Sequence, residues 1–152
     1  PHKAEECLVD IQIEAHIPEK YIESLAQRLD VYRKIASIAT RTESMDLIDE
    51  LIDRYGDPPK AIIGLVNVAL MRNTASRLGI TEITQRGDNL LFFILSPTME
   101  QISRLSSAYK GRVLFNSLKN SYISIKLLPN EKNSDLMQKV LELMSLEVED
   151  NG

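Results

Sequence analysis

The stretch Ile80-Thr81-Glu82-Ile83-Thr84-Gln85-Arg86-Gly87-Asp88-Asn89-Leu90-Leu91-Phe92-Phe93-Ile94-Leu95 decides the fold class. Upstream of Ile80 the apolar residues recur at helical spacing, whereas here two extended runs, Thr81 to Gln85 and Leu90 to Leu95, flank Arg86-Gly87-Asp88-Asn89, the pattern of a hairpin. A helix then starts at Thr98, with Gln101 three residues on as its capping partner. A second hairpin, Val113 to Ser117 and Tyr122 to Leu127 around Lys119-Asn120, leads to a helix from about Ser134 to Leu146. The expected arrangement is therefore ββα-ββα, with the two units about 32 residues apart.

Before the hairpin, Cys7 to Ile17 places apolar residues at every odd position and mostly polar ones at even positions, the period of a strand with one buried face. Pro18 removes a donor and ends it. Tyr21 to Ala39 predicts an amphipathic helix with Ile22, Leu25, Leu29, Tyr32, Ile35 and Ala36 on its buried side. Thr40-Arg41-Thr42-Glu43 fits a capping box for a second helix ending at Tyr55, with Gly56 closing it. Asp57 is the expected N-cap of a third helix that follows Pro58-Pro59 and reaches about Leu78, where Gly79-Ile80 stops it. The expected fold class is α+β: an N-terminal strand and three-helix segment followed by the ββα-ββα-like region, in one compact domain.

A chain of 152 residues suits one domain that needs neither disulfide nor metal to fold. No apolar run reaches the length of about 18 residues that a membrane helix requires. Cys7 is the sole cysteine and has no partner for an intrachain disulfide, so a cytoplasmic setting is the simplest expectation. The start at Pro1-His2-Lys3, without Met and without a signal-peptide pattern, fits a fragment of something longer.

Catalytic chemistry finds no purchase. No glycine heads a phosphate loop, no Ser sits in a Gly-flanked elbow, and Asp49-Glu50-Leu51-Ile52 resembles a helicase acidic box only until its placement on a helix is considered. Cys7 and His16 have opposite strand parity and project from opposite faces, which speaks against a shared metal. The expectation is no catalytic, cofactor-binding or metal-binding residue in this chain.

Charge distribution is more informative. The net charge is -4, yet Glu43 to Asp57 alone holds six acids (Glu43, Asp46, Asp49, Glu50, Asp53 and Asp57) against one base, Arg54. At about 100° per residue, Leu47, Ile48, Leu51, Ile52 and Tyr55 centre on one direction and Asp46, Asp49, Glu50 and Asp53 nearly opposite. Positions where i,i+4 support would place cations hold further acids, and Arg54 alone serves Glu50. The face reads either as a solvated surface or as a docking surface for a basic partner, since complementary charge steers association. Lys110, Arg112, Lys119 and Lys126 form a weaker, opposite cluster, suited to an alternative role as a nucleic-acid-binding accessory domain. No sequence feature favours a generic oligomerisation module.

Four segments carry a family resemblance: Glu6-Cys7-Leu8-Val9-Asp10 leading to Ile17-Pro18; Gln27-Arg28-Leu29-Asp30-Val31-Tyr32-Arg33-Lys34-Ile35-Ala36; Glu50-Leu51-Ile52-Asp53-Arg54-Tyr55-Gly56 with its following prolines; and Arg77-Leu78-Gly79-Ile80. Together they resemble the C-terminal domain of bacterial transcription-repair coupling factors, the Mfd family, closely from Glu6 to Ile80 and by element order thereafter. The resemblance implies a linker remnant over 1–5, a single regulatory domain over 6–148 and a tail over 149–152. It implies a parent protein that is an ATP-dependent DNA translocase, with ATP and Mg in a motor lying upstream of Pro1. That parent binds stalled RNA polymerase and DNA and recruits UvrA. For this domain the resemblance implies docking on a UvrB-like module that masks UvrA binding until the polymerase is engaged. On this reading Asp46, Asp49, Glu50, Asp53 and Arg54 are the candidate partner-binding residues.

Overall fold

The computed structural model describes residues 6–13 and 15–146. Glu14 within the expected first strand, the linker remnant 1–5 and the end of the chain from 147, with the tail 149–152, lie outside the described residues. The fold is α+β, and the described residues form two compact units, one of residues 6–13 and 74–146, the other of 15–73.

The unit of 15–73 is helical. It holds α1 (Leu25–Ala36), α2 (Arg41–Tyr55) and the first part of α3 (Lys60–Arg77). Each start has a local cause. The Ser24 hydroxyl accepts from the Gln27 N–H and caps α1, so the helix begins four residues later than the apolar spacing predicts. Tyr21 and Ile22 instead bond back to the Pro18 carbonyl in a turn. Thr40 caps α2 by accepting from Glu43 N–H at 3.1 Å, and the Glu43 carboxylate accepts from Ala39 N–H rather than from the capping residue itself. α3 begins after Pro59, whose carbonyl accepts from Ile62 and Ile63, so Asp57 lies too far upstream to be the expected N-cap. Gly56 ends α2 at φ +85°, a value costly for any residue with a Cβ.

The core of this unit is Ile17, Ile22, Val31, Ile35, Ile38, Leu47, Leu51, Ile62, Val66 and Ala69. Ile22 and Ile35 are buried as expected and Val31 joins them, whereas the stripe of Leu25 and Leu29 is 62% and 45% exposed. Both stripes have three-and-four spacing in the sequence, and tertiary packing selects between them. Ile52, expected among the buried residues of α2, is also exposed.

The other unit contains the sheet: β1 (Leu8–Asp10), β2 (Ile80–Arg86), β3 (Asn89–Ile94), β4 (Val113–Asn116) and β5 (Tyr122–Lys126), with α4 (Met99–Ala108) and α5 (Asn133–Ser145). The strand order is β1-β2-β3-β5-β4, with β1 parallel to β2 and every other pairing antiparallel. The element order β2-β3-α4-β4-β5-α5 is the expected ββα-ββα, and the two hairpins lie symmetrically about the β3–β5 pairing. Ile83, Phe92 and Ile123 stand in register on one face and are buried, with Leu90 and Ile125 in the next buried row. Gly87, at φ +60°, makes the tight first turn, and α4 shows the full Thr98–Gln101 capping box.

The first strand is shorter than expected. Among the described residues only Leu8 to Asp10 pair with β2, although the alternation continues beyond them: Cys7 and Ile17 are buried, and Leu8, Asp10, Gln12 and His16 are exposed. Alternation reports which side chains face inward; a ladder additionally needs a neighbouring strand.

Candidate partner-binding face

The helix α2 presents the carboxylates as the periodicity predicts. Leu47 and Leu51 are buried, while Asp46, Asp49, Asp53 and Arg54 are exposed and Glu50 is half-buried. The C-terminal end of the helix is fixed by tyrosines. Tyr21 Oη donates to the carbonyls of Gly56 at 2.6 Å and Leu51 at 3.2 Å, its ring lies 5.7 Å from that of Tyr55, and Tyr55 Oη donates to Gln27 Oε1 on α1. Burial, assisted by Asp57, pushes the Tyr21 phenol upward, which keeps it a donor.

The five candidates are not equivalent. Glu50 Oε1 is 2.9 Å from Lys34 Nζ of α1 and 3.6 Å from Arg54 Nη1 one turn later, and Lys34 also reaches Asp30 Oδ2 at 3.4 Å. Sequence reading assigns Glu50 a single cation, Arg54; the structure adds Lys34. Donating a hydrogen bond to Glu50, and next to Asp30, holds the Lys34 ammonium above its usual value. The Arg54 guanidinium also lies over the Tyr55 ring, 5.3 Å from its centroid. Among the described residues, Asp46, Asp49 and Asp53 make no ion pair within 4.0 Å. Three free carboxylates thus flank one that is internally neutralised. The Asp30–Lys34 spacing is visible in the sequence; the reach of Lys34 to the neighbouring helix is not.

The basic cluster behaves differently. Lys110, Arg112 and Lys126 lie at one end of the β4–β5 pair and Lys119 in the turn at the other. Arg112 is committed internally: it contacts the Glu131 carboxylate, donates from Nε to the Lys126 carbonyl at 3.0 Å, and stacks its guanidinium 5.2 Å from the Tyr109 centroid. These four residues do not converge on one surface. Cys7 is buried and His16 exposed, and no His/Cys/Asp/Glu group with metal-holding geometry occurs among the described residues. No helix of the described residues is long and apolar enough to cross a membrane.

Comparison with known proteins gives this geometry a family. The model of the TRCF domain matches residues 11–105, from the region after β1 through most of α4. The chain belongs to the TRCF domain family. The transcription-repair-coupling factor of Bacillus subtilis is 30% identical over 132 residues, which is 84% of this chain and 11% of that protein. The protein of the same name from Mycobacterium tuberculosis is 38% identical over 76 residues, half of this chain. The chain therefore spans about a tenth of the length of the curated relatives it matches. Its fold is also that of a crystal structure of the C-terminal domain of transcription-repair coupling factor, with a TM-score of 0.77 at 19% identity over 92% of each chain. Covering 92% of this chain, that likeness extends beyond the residues matched by the TRCF model.

Proposed function

We propose that residues 6–148 act as one regulatory domain of a transcription-repair coupling factor and dock through the acidic face of α2 on a UvrB-like module of the same protein, masking UvrA binding. The parent would be an ATP-dependent DNA translocase of the cytoplasm that displaces stalled RNA polymerase, with ATP and Mg bound in its motor and no role for them in this chain. The observation that carries the reading is the set Asp46, Asp49 and Asp53, exposed on one face of α2 without a cation of their own.

A contact that must hold and then release suits a modest polar interface, whose coupling to a second site is typically only a few kcal/mol. Complementary charge would set its register and its rate of formation. Glu50, already held by Lys34 and Arg54, would position the centre of the face, and Arg54 would meet a carboxylate or a carbonyl of the module.

The test is Asp49→Lys combined with Asp53→Lys in the full-length protein, because neither residue has an ion pair to lose. UvrA binding in the absence of stalled polymerase should rise, and binding of the chain to the UvrB-like module should weaken and lose its salt dependence. Unchanged UvrA affinity in the double variant would overturn the assignment.

A further inference from the structure

The strand order leaves β4 at one edge of the sheet and β1 at the other, and the two edges differ in kind. β1 is three residues long and carries an exposed carboxylate, Asp10, within the strand, which is how soluble sheets ordinarily discourage a further strand. β4 carries no charge within Val113 to Asn116. It exposes Leu114 at 60% and Phe115 at 37%, and Leu118 just beyond it at 77%.

The backbone of that edge can be assigned. Lys126 N–H donates to the Arg112 carbonyl at 2.9 Å, so Arg112 and Lys126 face each other with their polar groups directed across the ladder. In an antiparallel pair this alternates, so Leu114 and Asn116 turn their N–H and C=O groups to β5, whereas those of Val113 and Phe115 point to the open side. The register puts Phe115 in the row of Ile123 and Leu114 in the row of Ser124 on the opposite face. An added strand would therefore meet apolar side chains on both of its faces. Each end carries a lysine: Lys110 precedes the strand and Lys119 follows it, while Arg112 is already paired with Glu131.

We propose that the open edge of β4 is a β-strand addition site for an extended peptide with an apolar, β-branched centre and acidic residues at both ends. Backbone pairing with Val113 and Phe115 supplies the attachment, and Lys110 and Lys119, one beyond each end of the strand, select the acidic flanks. A second copy of this chain does not fit that description, because antiparallel pairing of two β4 edges sets the Lys110 end of one against the Lys119 end of the other. A nucleic acid does not fit it either: the flanking lysines are separated by roughly 13 Å of strand with apolar side chains between them.

The test uses the 152-residue chain and the peptide Glu-Glu-Val-Ile-Val-Thr-Glu-Glu. Binding should slow hydrogen exchange at the Val113 and Phe115 amides, and the same peptide N-methylated at its four central residues should not bind. Lys110→Glu and Lys119→Glu, at exposed positions, should leave the circular dichroism spectrum unchanged and each weaken the peptide roughly fivefold. A lysine-flanked peptide should fail. Any of three results overturns the proposal: undiminished binding of the N-methylated peptide, no change in exchange at Val113 and Phe115 at millimolar peptide, or displacement of the peptide by a single-stranded oligonucleotide. None of these results bears on the acidic face of α2, so the two assignments stand or fall separately.

Discussion

The carboxylates of α2 and the cations around β4 and β5 occupy stretches of similar length in the sequence, each a run dominated by one sign, and the fold treats them oppositely. On α2 the spacings of three, four and seven from Asp46 to Asp49, Glu50 and Asp53 keep the acids on one side of a single rigid element. In the hairpin, nearness in sequence becomes distance in space: Lys119 rides in the turn while Lys110, Arg112 and Lys126 gather at the far end, and Arg112 is consumed by Glu131 and the Lys126 carbonyl. A run of like charge becomes a surface only when its spacing matches the period of the element that carries it.

The most forceful way to break the comparison is to attack the two sides of α2 separately. Leu51→Ala should lower stability by about 2–5 kcal/mol, since the side chain is 1% exposed and its removal leaves a cavity in the helical core. Asp53→Ala, half a turn away, should change stability by less than about 0.5 kcal/mol, or raise it slightly by relieving repulsion from Asp49. Urea denaturation of both variants decides it; a comparable loss in each would mean that α2 has no free acidic side.

In the basic region the contrast falls between residues of the same sign. Arg112→Ala removes a charged hydrogen bond to Glu131, which is 22% exposed and also accepts from the Leu128 N–H, together with the bond to the Lys126 carbonyl. Its expected cost is about 1.5–3 kcal/mol. Lys119→Ala should cost almost nothing, being an exposed turn residue. Equal melting temperatures for the two variants would contradict the structural role of Arg112.

A smaller effect tests why α2 starts where it does. Thr40→Ala should lose about 1 kcal/mol, because the Glu43 amide loses its acceptor, and Thr40→Asp should restore it. Failure of the aspartate to rescue would mean that the cap does not set the helix start.

How much of this was legible in the sequence follows the same division between local and distant. The hairpin at Gly87, the Thr98–Gln101 box, the Thr40 cap and the acidic side of α2 all depend on residues within a few positions of one another, and the sequence displays them. The errors lie where a distant partner decides. Among the described residues only Leu8 to Asp10 form a ladder, although β2 runs on to Arg86, because beyond Asp10 the Gln12 N–H donates to the Gln85 side chain and the Gln12 carbonyl accepts from Asn133, more than 70 positions later. Leu25 and Leu29 are exposed because packing chose the Val31–Ile35 stripe. Asp57 is the exception, a local error: the helix starts two residues further on, with the Pro59 carbonyl accepting its first bonds. Of the candidate site, the exposed carboxylates were legible and the cation that singles out Glu50 was not.

That cation supplies the finest test, because Lys34 is what makes Glu50 unlike Asp46, Asp49 and Asp53. Its ammonium is raised above 10.5 chiefly by the hydrogen bond to Glu50 and next by that to Asp30. A group whose folded value lies above its unfolded one contributes stability that is fully present below the unfolded value and disappears as the pH rises through the folded one. The stability difference between the native chain and Lys34→Met should therefore be constant through neutral pH and shrink only on the alkaline side of 10.5. It should also be the smallest difference of the four, since the pair is exposed to water and screened by salt. Chemical denaturation of both forms at neutral and at strongly alkaline pH reads it, with the Lys34 ammonium followed by NMR. If the difference stayed constant across that range, Lys34 would support α2 by packing its stem rather than by its charge, and Glu50 would then belong with the three free carboxylates as a fourth site open to a partner.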